Sequence, residues 1–132
     1  MSVSSRPGLD GAFLATGYPF RAKAALDLYL GLFKGIFQYA RAVRRCGAAA
    51  LDLAYVAAGV YDGFFELRLS PWDVAAGALL IREAGGAISD FEGGGRHMTS
   101  GNVLAGSPGV HRGLLEVTKL HVDEATVDRL VP

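Results

Sequence analysis

Apolar residues recur at spacings of three and four along residues 22–40, a pattern that predicts an amphipathic helix. The members of this stripe are Ala22, Ala25, Leu26, Tyr29, Leu30, Phe33, Ile36, Phe37 and Ala40. Polar side chains such as Lys23, Asp27 and Lys34 fall on the other face. A stripe of this width is typical of a helix that covers a core from one side.

A second helical segment, residues 47–58, is apolar nearly all round, with Asp52 as the exception. We therefore expect this helix to be buried on most of its sides. Gly59 suits its C-terminal end, because glycine readily adopts the left-handed conformation that stops a helix.

Two later helices are predicted from their end signals. Pro71 favours the entrance of a helix over residues 72–84, and two glycines directly after it end the apolar pattern. Ser107 followed by Pro108 is a good N-cap pair, which opens a last helix reaching about Lys119.

Short apolar and β-branched runs alternate with these helices and predict strands at residues 12–16, 60–69, 87–91 and 103–106, with an extended link at 43–46. The alternation predicts an α/β fold, a layered helix–sheet sandwich. We divide the chain into a boundary segment at 1–10, an α/β portion at 11–119 and a polar tail at 120–132.

Composition narrows the possible functions. Hydrophobic residues make up 51% of the chain, which predicts a globular rather than a disordered protein. The formal net charge is +0, so no basic surface is expected for nucleic acid or membranes. Cys46 is the only cysteine, which rules out an internal disulfide and fits a reducing, cytoplasmic location. We interpret the cluster Arg41, Arg44 and Arg45 as a solvated helix end.

Asp73 is the first candidate for chemistry, and two interpretations of it are open. An aspartate at a helix start commonly caps backbone N–H groups. A carboxylate held rigidly there could instead bind a hard cation such as Mg²⁺, which prefers carboxylate oxygens, water and phosphate oxygens.

Glu66 and the helix start at Gly47, Ala48 and Ala49 are the other candidates. Glu66 ends an aromatic run and could face solvent at a strand edge, or accept hydrogen bonds from the hydroxyls of a polyol. The small residues at 47–49 could serve close packing, or could leave helix N–H groups open to a ligand.

Other motifs favour structural roles. The Asp-Gly pairs at 10–11 and 62–63 are turn dipeptides. His97, His111 and His121 are too widely spaced to suggest a zinc site or a catalytic triad. Residues 93–95 and 100–102 lack the pattern of a phosphate-binding or dinucleotide-binding loop, so we interpret both as loops.

Taken together, the segments are similar to the C-terminal signature of the inositol monophosphatase family. The most specific match is Trp72-Asp73-Val74-Ala75-Ala76-Gly77, followed by Glu83-Ala84-Gly85-Gly86. Residues 14–20, 44–59, 62–66 and 101–106 resemble, in order, segments of the bacterial extragenic-suppressor branch of this family. The resemblance covers about residues 9–118.

This resemblance implies a Mg²⁺-dependent, lithium-sensitive phosphatase of inositol 1-phosphate or a related polyol phosphate, usually a homodimer. It makes Asp73 a metal ligand and Glu66 the acceptor of a substrate hydroxyl. Gly47, Ala48 and Ala49 match the helix start that contacts the inositol ring. The family often has Thr or Ser where this chain has Ala48, so one hydroxyl contact is expected to be missing.

The remaining family ligands, a glutamate and the motif Asp-Pro-x-Asp-Gly-Thr, have no counterpart here. The chain is therefore expected to be truncated to the C-terminal half of the family, inactive alone and dependent on a complementary N-terminal half. An alternative is a non-catalytic interaction module, since members of the bacterial branch bind transcription machinery. A third interpretation is a truncated product without function.

Overall fold

The structure is a computed structural model, which describes residues 1–20 and 23–122. Five strands form one mixed sheet in the order β2-β1-β3-β5-β4. Their bounds are β1 Phe13–Thr16, β2 Ala42–Arg44, β3 Gly63–Glu66, β4 Ala87–Ser89 and β5 Val103–Gly106. β1 pairs in parallel with β2 and β3, whereas β5 runs antiparallel to β3 and β4.

Five α-helices cover this sheet: α1 Leu26–Phe37, α2 Ala49–Ala57, α3 Pro71–Glu83, α4 His97–Ser100 and α5 Pro108–His121. A short 3₁₀ helix, Lys23–Ala25, leads into α1. α1 packs with α5, and α2 packs with α3. The predicted α/β sandwich is thus confirmed. Two predictions, the helical position of Ala22 and the tail beyond residue 122, fall outside the described residues.

The two helix pairs lie on opposite faces of the sheet, because successive strand side chains point to opposite sides. Phe65 and Leu14 belong to the core under α1 and α5. Their neighbours Phe64 and Ala15 belong to the core under α2 and α3. All four side chains are fully buried, so β1 and β3 each contribute side chains to both cores.

The predicted core-facing side of α1 is partly wrong. Leu26, Leu30 and Phe37 are 46%, 50% and 62% exposed. Leu32, which the apolar stripe did not include, is fully buried beside Tyr29 and Ile36. Apolar residues occupy more than half of the circumference of α1, so the sheet and α5 select which of them are covered.

The expected burial of α2 also needs correction. Its acidic residue Asp52 is only 1% exposed, whereas Leu51 and Tyr55 on the outer face are 49% and 40% exposed. The helix lies over the sheet and beside α3, so its position puts the carboxylate inside and two large apolar side chains outside.

Helix ends follow the predicted signals. Gly59 and Gly85 have φ angles of 79° and 86°, the left-handed region that favours glycine, after α2 and α3 respectively. The Ser107 hydroxyl accepts the Val110 N–H at the start of α5. None of the helices in the described residues has the length and apolar character needed to cross a membrane.

Residues 1–10 pack against the sheet and the start of α5. The Arg6 guanidinium forms an ion pair with Asp62 at 2.8 Å, and the same Asp62 oxygen accepts the Phe13 N–H at 2.7 Å. The Ser107 hydroxyl donates to the Arg6 carbonyl at 3.0 Å. The segment is thereby connected to the first strand, to β3 and to the start of α5.

Candidate functional site

A cavity of about 200 Å³ lies where the parallel strands β1, β2 and β3 end. It is lined by Gly17, Tyr18, Pro19, Phe20, Arg45, Gly47, Ala49, Glu66, Leu67, Arg68, Leu69 and Asp73. The carboxyl ends of neighbouring parallel strands meet at one edge of a sheet, which is a common place for ligands in α/β folds. Three separate segments of the chain therefore converge on this edge.

Glu66 is the last residue of β3 and is partly buried. It lies against Gly17, the first residue after β1, and a Cβ atom placed on Gly17 would overlap the Glu66 carboxylate. The missing side chain at Gly17 therefore leaves the space that the carboxylate occupies at the cavity wall.

Asp73 lies in the first turn of α3 and is partly buried. Its carboxylate accepts the backbone N–H of Ser70 at 3.1 Å, which is the reach-back arm of a capping box. The capping interpretation is thus present in the structure. The cap does not exclude a metal or substrate contact, because Asp73 also lines the cavity.

The loop between Glu66 and Asp73 is held by the segment that joins α4 to β5. Gly101 O accepts the Leu69 N–H at 2.8 Å, and Asn102 Oδ1 accepts the Arg68 N–H at 3.2 Å. Arg68 has φ 60°, the only left-handed non-glycine residue among those described. Residues 100–102, which we interpreted as a simple loop, therefore help to place both carboxylates.

The start of α2 reaches the same cavity through Gly47 and Ala49. Gly47 has φ 86°, a conformation that glycine adopts at little cost. Ala48 is the N-cap residue, exposed and without a side-chain hydrogen bond to the helix. Ala48 is absent from the cavity wall, so the predicted trio contributes two of its three residues there.

Arg45 also lines this cavity, a position that the sequence pattern did not predict. Its guanidinium carbon lies 5.3 Å from the ring centre of Tyr18 and 5.4 Å from that of Phe20. The interpretation of the arginines as a helix end is wrong, because Arg44 ends strand β2 and Arg45 follows it. The parallel pairing of β2 with β1 brings the two aromatic residues, which follow β1, next to Arg45.

Asp52 lies buried in α2, the helix whose start reaches the cavity. Burial raises the pKa of its carboxyl to about 6, although the nearby positive charge of Arg45 opposes this change. Its Oδ1 atom has no hydrogen-bond partner among the described residues. A buried carboxyl with an unpaired oxygen favours the protonated form.

His97 and His111 lie away from the cavity wall. Arg82 contacts the His97 ring at 3.1 Å, and Ser89 contacts the His111 ring at 2.7 Å. The Ser89 hydroxyl also lies 2.8 Å from the Asp90 carbonyl, to which it donates. Burial lowers the pKa of both histidines.

Residues 1–123 match the model of the inositol monophosphatase family. The chain belongs to the inositol monophosphatase family. It is 54% identical over 112 residues to the Nus factor SuhB of Escherichia coli (strain K12), which covers 85% of this chain and 42% of that protein. The corresponding identity to Nus factor SuhB of Pseudomonas aeruginosa is 48%, over 92% of this chain and 46% of the relative.

Two solved structures show the same fold. The crystal structure of extragenic suppressor protein suhB from Bartonella henselae superimposes with a TM-score of 0.86 at 40% identity, covering 92% of this chain and 46% of that one. Inositol monophosphatase from Anabaena (Nostoc) sp. PCC 7120 gives a TM-score of 0.85 at 32% identity, over 96% and 50%.

The chain thus spans less than half the length of these curated relatives. This share agrees with the predicted correspondence to the C-terminal half of a family member.

The carboxylates on the cavity wall show which part of a magnesium site this chain can supply. Asp73 supplies carboxylate oxygens, the donor type that a hard cation prefers, and Glu66 is a second carboxylate on the same cavity. Within residues 1–20 and 23–122, however, no three His, Cys, Asp or Glu side chains come together as a metal site. The described residues therefore fit one part of a ligand set and do not form a complete magnesium site.

Proposed function

We propose that this chain forms the substrate-binding part of a Mg²⁺-dependent phosphatase of inositol 1-phosphate or a related polyol phosphate. The observation that supports this most is the convergence of Asp73, Glu66 and the start of α2 on one cavity. Membership of the inositol monophosphatase family supports the reaction class.

Each residue has a separate role in this proposal. The Glu66 carboxylate accepts hydrogen bonds from substrate hydroxyls, since an ionised carboxylate is acceptor-only. Gly47 and Ala49, which line the cavity, place open N–H groups at the start of α2 beside the polyol ring, and Ala48 occupies the N-cap position between them. Asp73 provides one ligand to Mg²⁺, which, when bound, neutralises negative charge on the phosphate group.

The proposed active unit is residues 11–119 together with a complementary N-terminal half, and this unit is expected to form a homo-oligomer. One aspartate cannot complete a Mg²⁺ site, so we expect the isolated chain to release no phosphate. The proposed location is the cytoplasm, which the single cysteine and the Nus-factor relatives favour.

Two variants of Asp73 separate its capping role from its metal role. Asp73→Asn keeps an oxygen that can accept the Ser70 N–H but weakens metal binding, whereas Asp73→Ala removes both functions. We expect Asp73→Ala to lower the free energy of unfolding by about 1 kcal/mol and Asp73→Asn to lower it less. Both variants should lack phosphatase activity when they are combined with the N-terminal half.

The assay measures phosphate release from inositol 1-phosphate with Mg²⁺, with and without Li⁺, after addition of the N-terminal half of the Escherichia coli relative. Robust Li⁺-sensitive turnover by the isolated chain would contradict the proposal that it is incomplete. Full activity of the complemented Asp73→Asn variant would exclude Asp73 as a metal ligand.

A second candidate function is a non-catalytic interaction module that binds a transcription-factor partner. The name Nus factor, which the Escherichia coli and Pseudomonas aeruginosa relatives have, favours it. Replacement of Asp73 by Asn in cells distinguishes the two functions. An unchanged phenotype supports the module, and failure to recover a transcription protein by affinity purification argues against it.

A further inference from the structure

Arg45 has no carboxylate partner at the cavity. The ion pair between Arg6 and Asp62 does not involve Arg45. The other arginine on the cavity wall, Arg68, donates from its guanidinium to the Ser100 carbonyl at 3.4 Å. The nearby Asp52 carboxyl influences Arg45 electrostatically but lies beyond ion-pair distance.

Two aromatic rings hold the Arg45 guanidinium in place. Tyr18 and Phe20 are themselves in edge contact, with ring centres 6.1 Å apart, and Arg45 lies within 5.4 Å of each. Rings that face a guanidinium attract its charge and leave the N–H groups at its edge available. A Cβ atom on Gly47 would lie 3.1 Å from an Arg45 nitrogen, so glycine leaves room for this position.

The cavity wall carries charges of both signs. Glu66 and Asp73 supply carboxylates, and Arg68 and Arg45 supply cations, Arg45 from the position directly after strand β2. A planar guanidinium binds two oxygens of one phosphate or carboxylate group at once. A ligand whose hydroxyl is bound by Glu66 can therefore present a further acidic group to Arg45.

We infer that Arg45 recognises a second anionic group on the substrate, so the cavity selects a polyol phosphate that carries another phosphate or a carboxylate. This inference rests on the proposed function, because it assigns the substrate class of the same cavity. Arg45 is a specificity residue in this assignment and takes no part in the bond-breaking step.

Titration calorimetry of the 132-residue chain with Mg²⁺ present tests this assignment. The three probes are inositol 1-phosphate, an inositol bisphosphate and phosphogluconate, of which the last two distinguish a second phosphate from a carboxylate. We expect the preferred doubly anionic probe to bind about tenfold more tightly than the monophosphate, the size of one charge-assisted contact. In Arg45→Gln this preference should disappear.

Two further variants make the result specific. Phe20→Leu keeps an apolar side chain but removes one ring face, and should reduce the preference in part. Arg41→Gln removes an exposed arginine outside the cavity wall and should keep the preference. Circular dichroism checks that each variant is folded.

Several outcomes would overturn the assignment. One is that the wild-type chain shows no preference for a doubly anionic probe, and another is that Arg45→Gln retains this preference. A third is that Arg45→Gln loses affinity equally for all three probes, which would place Arg45 on the phosphate that they share. Phosphate release is scored separately in the complemented chain. A bisphosphate preference without any turnover would refute the proposed phosphatase while leaving the role of Arg45 supported.

Discussion

Replacement of Asp52 by Asn should change how the stability of the chain depends on pH. The Asp52 carboxyl is 1% exposed, and one of its oxygens has no hydrogen-bond partner among the described residues. Asparagine has nearly the same shape but does not titrate. A comparison of the two proteins therefore isolates the free energy of ionising this one buried group.

The magnitude follows from the pKa. Burial raises the pKa of Asp52 from the ordinary 3.8 to about 6. Between these two values the folded protein binds one more proton than the unfolded chain, so its stability falls as pH rises. Above the folded-state pKa the loss is complete, and it amounts to at most about 3 kcal/mol at about 1.4 kcal/mol per pH unit.

Urea unfolding, followed by circular dichroism, measures this effect. We expect the unfolding free energy of wild type minus that of Asp52→Asn to fall by about 2 kcal/mol from about pH 4.5 to about pH 7.5. Other titrating groups contribute to both proteins and largely cancel in the difference. Asp27→Asn, which removes an exposed carboxylate on α1, is the matched control and should not produce this fall.

A difference curve that stays flat would show that Asp52 is solvated or paired in the folded chain. A curve that rises with pH would show that the fold stabilises the ionised carboxylate, with Arg45 as the nearest positive charge. Either result would refute the reasoning from burial.

Three glycine substitutions test the packing and the cavity. Gly77→Ala should lower the unfolding free energy by about 1–3 kcal/mol in urea titrations, since a Cβ atom there would lie 2.5 Å from Leu53 between α2 and α3. Gly31→Ala, with nothing within 4 Å, should instead stabilise α1 by up to about 1 kcal/mol, and equal effects would contradict this account. Gly17→Ala should displace the Glu66 carboxylate and weaken polyol binding in calorimetry by about tenfold, and unchanged affinity would exclude Glu66 from the site.

Local signals in the sequence were sufficient for the helix ends. Ser107 and Pro108 predicted the start of α5, and the glycines after α2 and α3 predicted their ends. These signals act over a few residues, because a cap or a positive φ angle depends on neighbouring backbone groups alone. The Trp72-Asp73 motif likewise indicated the family before any geometry was known.

Contacts between distant segments decided which helix faces are buried and where Arg45 lies. The packing of α5 and the sheet decides which face of α1 is buried. The packing around α2 likewise decides that Asp52 points inward. The place of Arg45 depends on the parallel pairing of β2 with β1, since only that order puts its strand end beside Tyr18. Sequence periodicity shows that a residue is apolar or charged, but not which partner will cover it.

The sequence by itself therefore determined the fold class, the helix ends and the identity of the two cavity carboxylates. The tertiary structure decided that these carboxylates share one cavity, that Gly101 and Asn102 hold the loop between them, and that Arg45 lines the same cavity. The physical reason is the range of the interactions: caps and turns are local, whereas a cavity forms only where separate strands end side by side.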